Sequence, residues 1–98
     1  MSFTQMMTVR TSDPQQLASL LEEWHRDQHD AAPGYEGARL LADREHDDRF
    51  VIAVDFASPG DAQRNNDRPE TKAWAEKLQA ATDGQPEYHD FEVVFTTG

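Results

Sequence analysis

The chain has no cysteine, which excludes disulfides, thiolate nucleophiles and Cys-based metal sites. It has no long apolar run either. No segment approaches the roughly 20 apolar residues of a membrane-spanning helix. The opening residues, Met1-Ser2-Phe3-Thr4-Gln5-Met6-Met7, lack the basic start of an export signal. The location expected from this is the cytoplasm. Cationic side chains are scarce: 9 Lys and Arg stand against 19 Asp and Glu, a formal charge of -10. Nucleic acid, whose phosphates need a Lys/Arg footprint, is thereby excluded as a partner. An anionic membrane surface is disfavoured for the same reason. The 5 glycines are scattered at turns, so no phosphate-cradling loop is present. GxSxG, GxGxxG, P-loop and HExxH patterns are all missing.

What remains is a chain of 98 residues, the size of one domain spanning 1–98. A domain this short buries a modest share of its surface, so pairing with a second copy is a natural source of further burial.

The apolar pattern predicts six elements, the second helix in two pieces. Phe3, Gln5, Met7 and Val9 alternate with Thr4, Met6, Thr8 and Arg10, which reads as a strand. Asp13-Pro14 with Gln16 three residues after the cap predicts a helix start. Leu17, Leu20, Leu21, Trp24, Gln28 and Ala31 then form one stripe at helical spacing, and Ala32-Pro33-Gly34 is the expected end. Residues 35–43 and 49–56 read as strands around a polar loop at 45–48. Phe50, Ile52, Val54 and Phe56 share one face of the second of these, and Val51 and Ala53 the other. A strand apolar on both faces is expected to be covered on both.

Ser58-Pro59-Gly60-Asp61 repeats the cap, proline and acid logic and predicts a short helix to about residue 66. Arg68-Pro69-Glu70-Thr71 restarts a helix through Trp74 and Leu78 to about residue 82. A last strand is expected over 88–95, with His89, Phe91, Val93 and Phe95 on its apolar face.

This order is the βαββαβ pattern of the ferredoxin-like α+β fold, with an antiparallel four-stranded sheet. Its two helical layers can cover only one face of such a sheet. The other face would expose Val51, Ala53, Val94 and Met6 or Met7. A twin sheet would hide this patch, so a homodimer is expected.

With the element order in hand, the chain resembles the antibiotic biosynthesis monooxygenase-like group of dimeric α/β barrels. Three stretches carry the resemblance: Pro33-Gly34-Tyr35-Glu36-Gly37, Arg49-Phe50-Val51-Ile52, and Arg68-Pro69-Glu70-Thr71-Lys72-Ala73-Trp74. They are turn and packing motifs and hold no catalytic signature. The resemblance implies sheets paired face to face into a barrel, with a pocket between helices and sheet in each subunit. It also implies an activity class: oxygenases without metal or flavin, acting on anthrone-like or quinol-like aromatic polyketides. Members of a haem-degrading branch carry a Trp and, about ten residues later, a His. The matching positions here hold Asn65 and Ala75, so the resemblance does not extend to haem degradation.

The side chains able to do chemistry are few. Trp24 and Trp74 serve the core or wall an aromatic pocket. His25 and His29 are four apart on a helix, a chelating spacing with too few ligands for a metal site by itself. His25 lies nearer the apolar stripe and is the candidate general base. His89, at the start of the last strand, is the alternative base if it faces the pocket. Asn65 and Asn66 either end the short helix for backbone reasons or hold a substrate oxygen, as the resemblance implies for this stretch. Tyr35 and Arg39 are expected on one face of the second strand, the candidate dimer face. No cofactor is expected. The two main readings left open are an oxygenase for a small aromatic molecule and a non-catalytic dimeric binding or structural domain, with a metal site at His25 and His29 as a weaker third.

Overall fold

The computed structural model describes residues 2–98. The elements run β1 (Phe3–Arg10), α1 (Pro14–Gln28), β2 (Tyr35–Ala42), β3 (Arg49–Phe56), α2 (Pro59–Asn66), α3 (Pro69–Ala81) and β4 (Glu87–Glu92). The four strands form one antiparallel sheet in the order β2-β3-β1-β4. This is the ferredoxin-like α+β arrangement, with the second helical layer split in two. Among the described residues no helix is long and apolar enough to cross a membrane.

Local chemistry sets the helix starts. The Asp13 carboxylate accepts the Gln16 amide at 3.3 Å, and Pro14 takes the first helical position. Ser58 Oγ accepts the Asp61 amide at 3.1 Å ahead of Pro59. Only α3 lacks a side-chain cap, and it begins on Pro69 directly behind α2. The first helix ends earlier than the apolar stripe predicts, at Gln28 rather than beside Pro33. The amides of Ala31 and Ala32 both turn back to the Gln28 carbonyl, which closes the helix. Ala32 still buries, but as part of this turn. Gly34 then adopts φ 63°, and a Cβ there would collide with Asp61.

All three helices lie on one face of the sheet. The core joins Phe3, Met7 and Val9 of β1 and Phe50, Ile52, Val54 and Phe56 of β3 to Leu17, Ala62 and Leu78 of the helices. Thr4, Met6 and Thr8 of β1, with Val51, Ala53 and Asp55 of β3, face the other way, as does the Phe91 pair of Thr4.

Two strands depart from simple alternation. In β2 the register shifts between Tyr35 and Gly37, so Tyr35 pairs with Phe56 and turns to the helices. Arg39 pairs with Ala53 on the open face. The expectation that these two share a face fails because a bulge inserts one extra residue between them. In β4, Tyr88 pairs with Met7 and Asp90 with Gln5, both core-side positions of β1. His89 and Phe91 therefore lie on the open face, opposite to the expected orientation. The strand also stops at Glu92, short of the expected 95. Beyond it, Val94 and Phe95 are exposed instead of joining the sheet.

Candidate functional site

A cavity of about 350 Å³ opens between the β1–β4 half of the sheet and the helices. Met7, Val54 and Phe56 form its floor, with Gln5 beside them. Leu21 and Trp24 of α1 and Trp74 and Ala75 of α3 form its roof. Tyr88 and Asp90 of β4 and Lys72 of α3, all exposed, mark its mouth. Asn65, Asn66 and Thr71 close the end where α2 passes into α3. The lining is mostly apolar with a few polar groups, and the volume suits one small ligand.

The roof is tied together. The Trp24 and Trp74 rings meet at 5.9 Å between centroids and 54° between planes. Trp74 Nε1 donates to the Leu20 carbonyl at 3.0 Å, which joins α3 to α1 across the cavity. Lys77 adds an exposed ion pair to Glu23 at 2.9 Å along the same seam. The two tryptophans are thus both packing groups and cavity wall.

The asparagines differ from each other. Asn65 is 4% exposed, and its Oδ1 accepts from Arg68 Nη1 at 3.3 Å and Thr71 Oγ1 at 3.1 Å. Asn66 is only partly buried and lines the cavity without such anchors.

Neither histidine proposed as a base reaches this space. His25 sits exposed on the outer side of α1, with Nδ1 3.0 Å from the Tyr35 hydroxyl. Its ring stacks on His29 at 4.9 Å. His29 Nδ1 lies 2.7 Å from the His25 carbonyl and its Nε2 3.2 Å from Asp30. Both nitrogens of His29 are thus engaged within the helix end. Among the described residues no three His, Asp or Glu converge on a metal position. His89 is on the open face, 6.5 Å from the Phe91 ring.

Of the six site residues expected, the cavity therefore gathers Trp24, Trp74, Asn65 and Asn66. It leaves out His25 and His89. It adds Gln5, Thr71, Lys72, Tyr88 and Asp90, which sequence reasoning missed. The signal for Tyr88 and Asp90 was their alternation with His89, read with the wrong face inward. Partial desolvation raises the Tyr88 phenol above its ordinary pKa, and the protonated hydroxyl can donate at the cavity mouth. The same desolvation raises Tyr35 beside His25.

A sheet with an end-to-end helical cover on one side and a ligand-sized gap beneath it can be compared with known structures. The decisive likeness is to SnoaB, a cofactor-independent oxygenase from Streptomyces nogalater, solved as an asparagine-to-alanine variant. It superposes with a TM-score of 0.73 at 21% identity, over 97% of this chain and 93% of that one. The chain has the fold of the antibiotic biosynthesis monooxygenases. Proteins provisionally named as antibiotic biosynthesis monooxygenases agree. The one from Bordetella bronchiseptica gives a TM-score of 0.79 at 13% identity, over 96% of this chain and 98% of that one. The one from Caulobacter crescentus gives 0.78 at 11% identity, over 96% and 91%. No family model matches the sequence, and no curated protein does. At these identities the antibiotic biosynthesis monooxygenase likeness establishes architecture and leaves the chemistry to the site.

Proposed function

We propose that the protein is a cofactor-independent monooxygenase for a small, electron-rich aromatic compound of the anthrone or quinol type. One observation carries this reading: the gap between helices and sheet is an open, largely apolar cavity with two carboxamides at one end. A purely structural domain gains stability by closing such a gap, because unfilled space forfeits contacts. Here Trp24 and Trp74 roof the space and do not fill it.

The chemistry that suits the cavity starts at an activated CH₂ of the substrate. A proton leaves this carbon and the negative charge moves onto the substrate's own oxygen. An amide of Asn65 or Asn66 holds that oxyanion, and a donor aimed at developing charge in a dry site accelerates such steps. The Asp90 carboxylate at the mouth replaces His25 and His89 as the proton acceptor. The carbanion gives one electron to O₂, the radical pair combines into a carbon-bound peroxide anion, and this takes the proton back from Asp90 to become a hydroperoxide. Loss of water leaves the ketone. In sum, CH₂ and O₂ become C=O and H₂O. The carbon is oxidised by four electrons, O₂ takes them, and both hydrogens end in water.

The open sheet face supports a second element of the reading: two copies pair through it. Leu41 and Phe91 are 37% and 50% exposed there, beside Met6 and Val51. Arg39, Asp55 and Glu87 share this mixed face, and a twin of the same shape would cover its exposed apolar side chains by symmetry.

Oxygen uptake with a panel of anthrones and quinols tests the activity. Turnover above the uncatalysed rate, lost in Asn65→Asp, is the expected result. No turnover across the panel, with the same compounds bound in the cavity, would leave a small-molecule binding protein instead.

A further inference from the structure

Asn65 has an orientation that its own chemistry does not explain. A carboxamide can present either its oxygen or its amino group to a ligand, and alone it can turn over to suit. Arg68 removes that freedom. A guanidinium has donors only, so the atom of Asn65 facing Arg68 Nη1 at 3.3 Å must be the oxygen. Thr71 Oγ1 donates to the same oxygen at 3.1 Å. Arg68 is itself held from two sides: its Nη2 donates to Gln28 Oε1 at 2.6 Å and lies 3.3 Å from Glu70 Oε2. Its side chain is only 18% exposed, so this lock sits mostly out of water. Asn65 is 4% exposed and lines the cavity, and no buried polar atom among the described residues is left without a partner. With the oxygen doubly occupied, the Nδ2 amino group is the end available to a ligand.

We infer that Arg68 and Thr71 are positioning residues that lock Asn65 as a one-way hydrogen-bond donor, so that the cavity selects aromatic ligands carrying an acceptor oxygen. Favoured ligands carry a carbonyl, phenolate or enolate. A hydrocarbon of the same shape, or one with only an amino donor at that position, is disfavoured. The inference rests on the cavity being a site for aromatic ligands, as proposed above, but it does not require turnover. It gives a fixed role to Arg68 of the α2–α3 junction, which does not line the cavity. Gln28, on α1, connects that junction to the helix carrying Trp24.

Two measurements on the full-length protein test it. In the free protein, nuclear magnetic resonance of the Asn65 side-chain amide reads the orientation. The expected result is contacts from the NH₂ protons to cavity ring protons. Contacts from those protons to the Arg68 guanidinium would mean that the amide is reversed, and would overturn the inference. The second measurement is the affinity of anthraquinone against anthracene, read by quenching of tryptophan fluorescence. Wild type should prefer the quinone roughly five- to tenfold, the scale of one hydrogen bond. Asn65→Asp, of the same shape but with no donor, should lose the preference. Arg68→Met, at a residue outside the cavity lining, should reduce it to under about twofold while anthracene affinity is unchanged. Arg68→Lys, which restores a donor-only partner, should recover it. A preference that survives in Arg68→Met refutes the positioning role. Failure of both compounds to bind refutes the aromatic-site reading on which it rests. Binding with the preference intact but no oxygen uptake removes the oxygenase and leaves this inference standing.

Discussion

Trp74→Phe isolates the bond that holds the cavity roof together. The indole N–H donates to the Leu20 carbonyl at 3.0 Å, and the ring packs on Trp24. Phenylalanine keeps a ring at the position but has no donor. The Leu20 carbonyl keeps its own helical partner four residues on, so no acceptor is orphaned. The lost bond then costs about 1 kcal/mol. Trp74 is half-buried, and the smaller ring gives up part of its contact area. That loss is well below the roughly 3–5 kcal/mol of a full truncation to alanine, and about 1 kcal/mol is a fair share. The sum is about 2 kcal/mol. In a domain of this length each kcal/mol moves the midpoint by about 4–8 °C, so the melting temperature should fall by about 10 °C. The assay is thermal unfolding by circular dichroism at matched protein concentration, since assembly makes the midpoint concentration-dependent. The near-ultraviolet signal of the tilted indole pair should vanish in the same variant. A midpoint within about 2 °C of wild type, or an unchanged near-ultraviolet spectrum, would refute the claim that this contact ties α1 to α3.

Three further outcomes follow from the same coordinates. Leu41→Asp puts a charge on the open sheet face, and light scattering should then give half the wild-type mass; a wild type that is already monomeric sinks the pairing. Ser58→Ala removes the oxygen that accepts the Asp61 amide at 3.1 Å, and chemical denaturation should show a loss of about 1 kcal/mol. The chain has two tyrosines, Tyr35 and Tyr88, and desolvation raises both. A group with a raised folded pKa supports stability below its unfolded value, near 10, and that support is lost as pH climbs through the folded value. Absorbance at the tyrosinate band should therefore rise later in the native protein than in urea, and coincident curves would contradict the partial desolvation of these phenols.

The fold was legible because its signals are local or strongly periodic. Asp13-Pro14, Ser58-Pro59 and Arg68-Pro69 announce three helices, and each begins where its proline allows. In β1 and β3 the apolar set is dense enough that only one face can be the core. The cavity was half legible. Trp24 and Trp74 fall on helix stripes, so their places follow from spacing, whereas Asn65 and Asn66 end a short helix and only the family resemblance pointed them at a pocket. His25 was misread because a helix stripe has an edge of about one residue, and the 100° step per residue carries this ring around to Tyr35 and the outside. The bulge between Tyr35 and Gly37 leaves no mark in composition beyond a glycine, and the face of Tyr35 depends on it entirely.

The inversion of β4 says more than the elements read correctly. Its alternation is real: His89 and Phe91 are the less polar set, and Tyr88 and Asp90 the more polar. Alternation identifies the two faces of a strand, but which one the helices cover is a matter of register with β1. Here the polar set meets the cavity, where Tyr88 and Asp90 supply hydroxyl and carboxylate at the mouth. The less polar set is turned away from the helices: His89 pairs with Met6 and Phe91 with Thr4, on the face that also carries Val51 and Leu41. A strand that puts polar groups toward its own helices and apolar groups toward the outside is built for an inner surface on both sides. On the function proposed above, one is the ligand site and the other the contact with a second sheet. The feature that misled the reading of β4 is therefore an independent argument for pairing, since a monomer would gain nothing by keeping Phe91 on the open face.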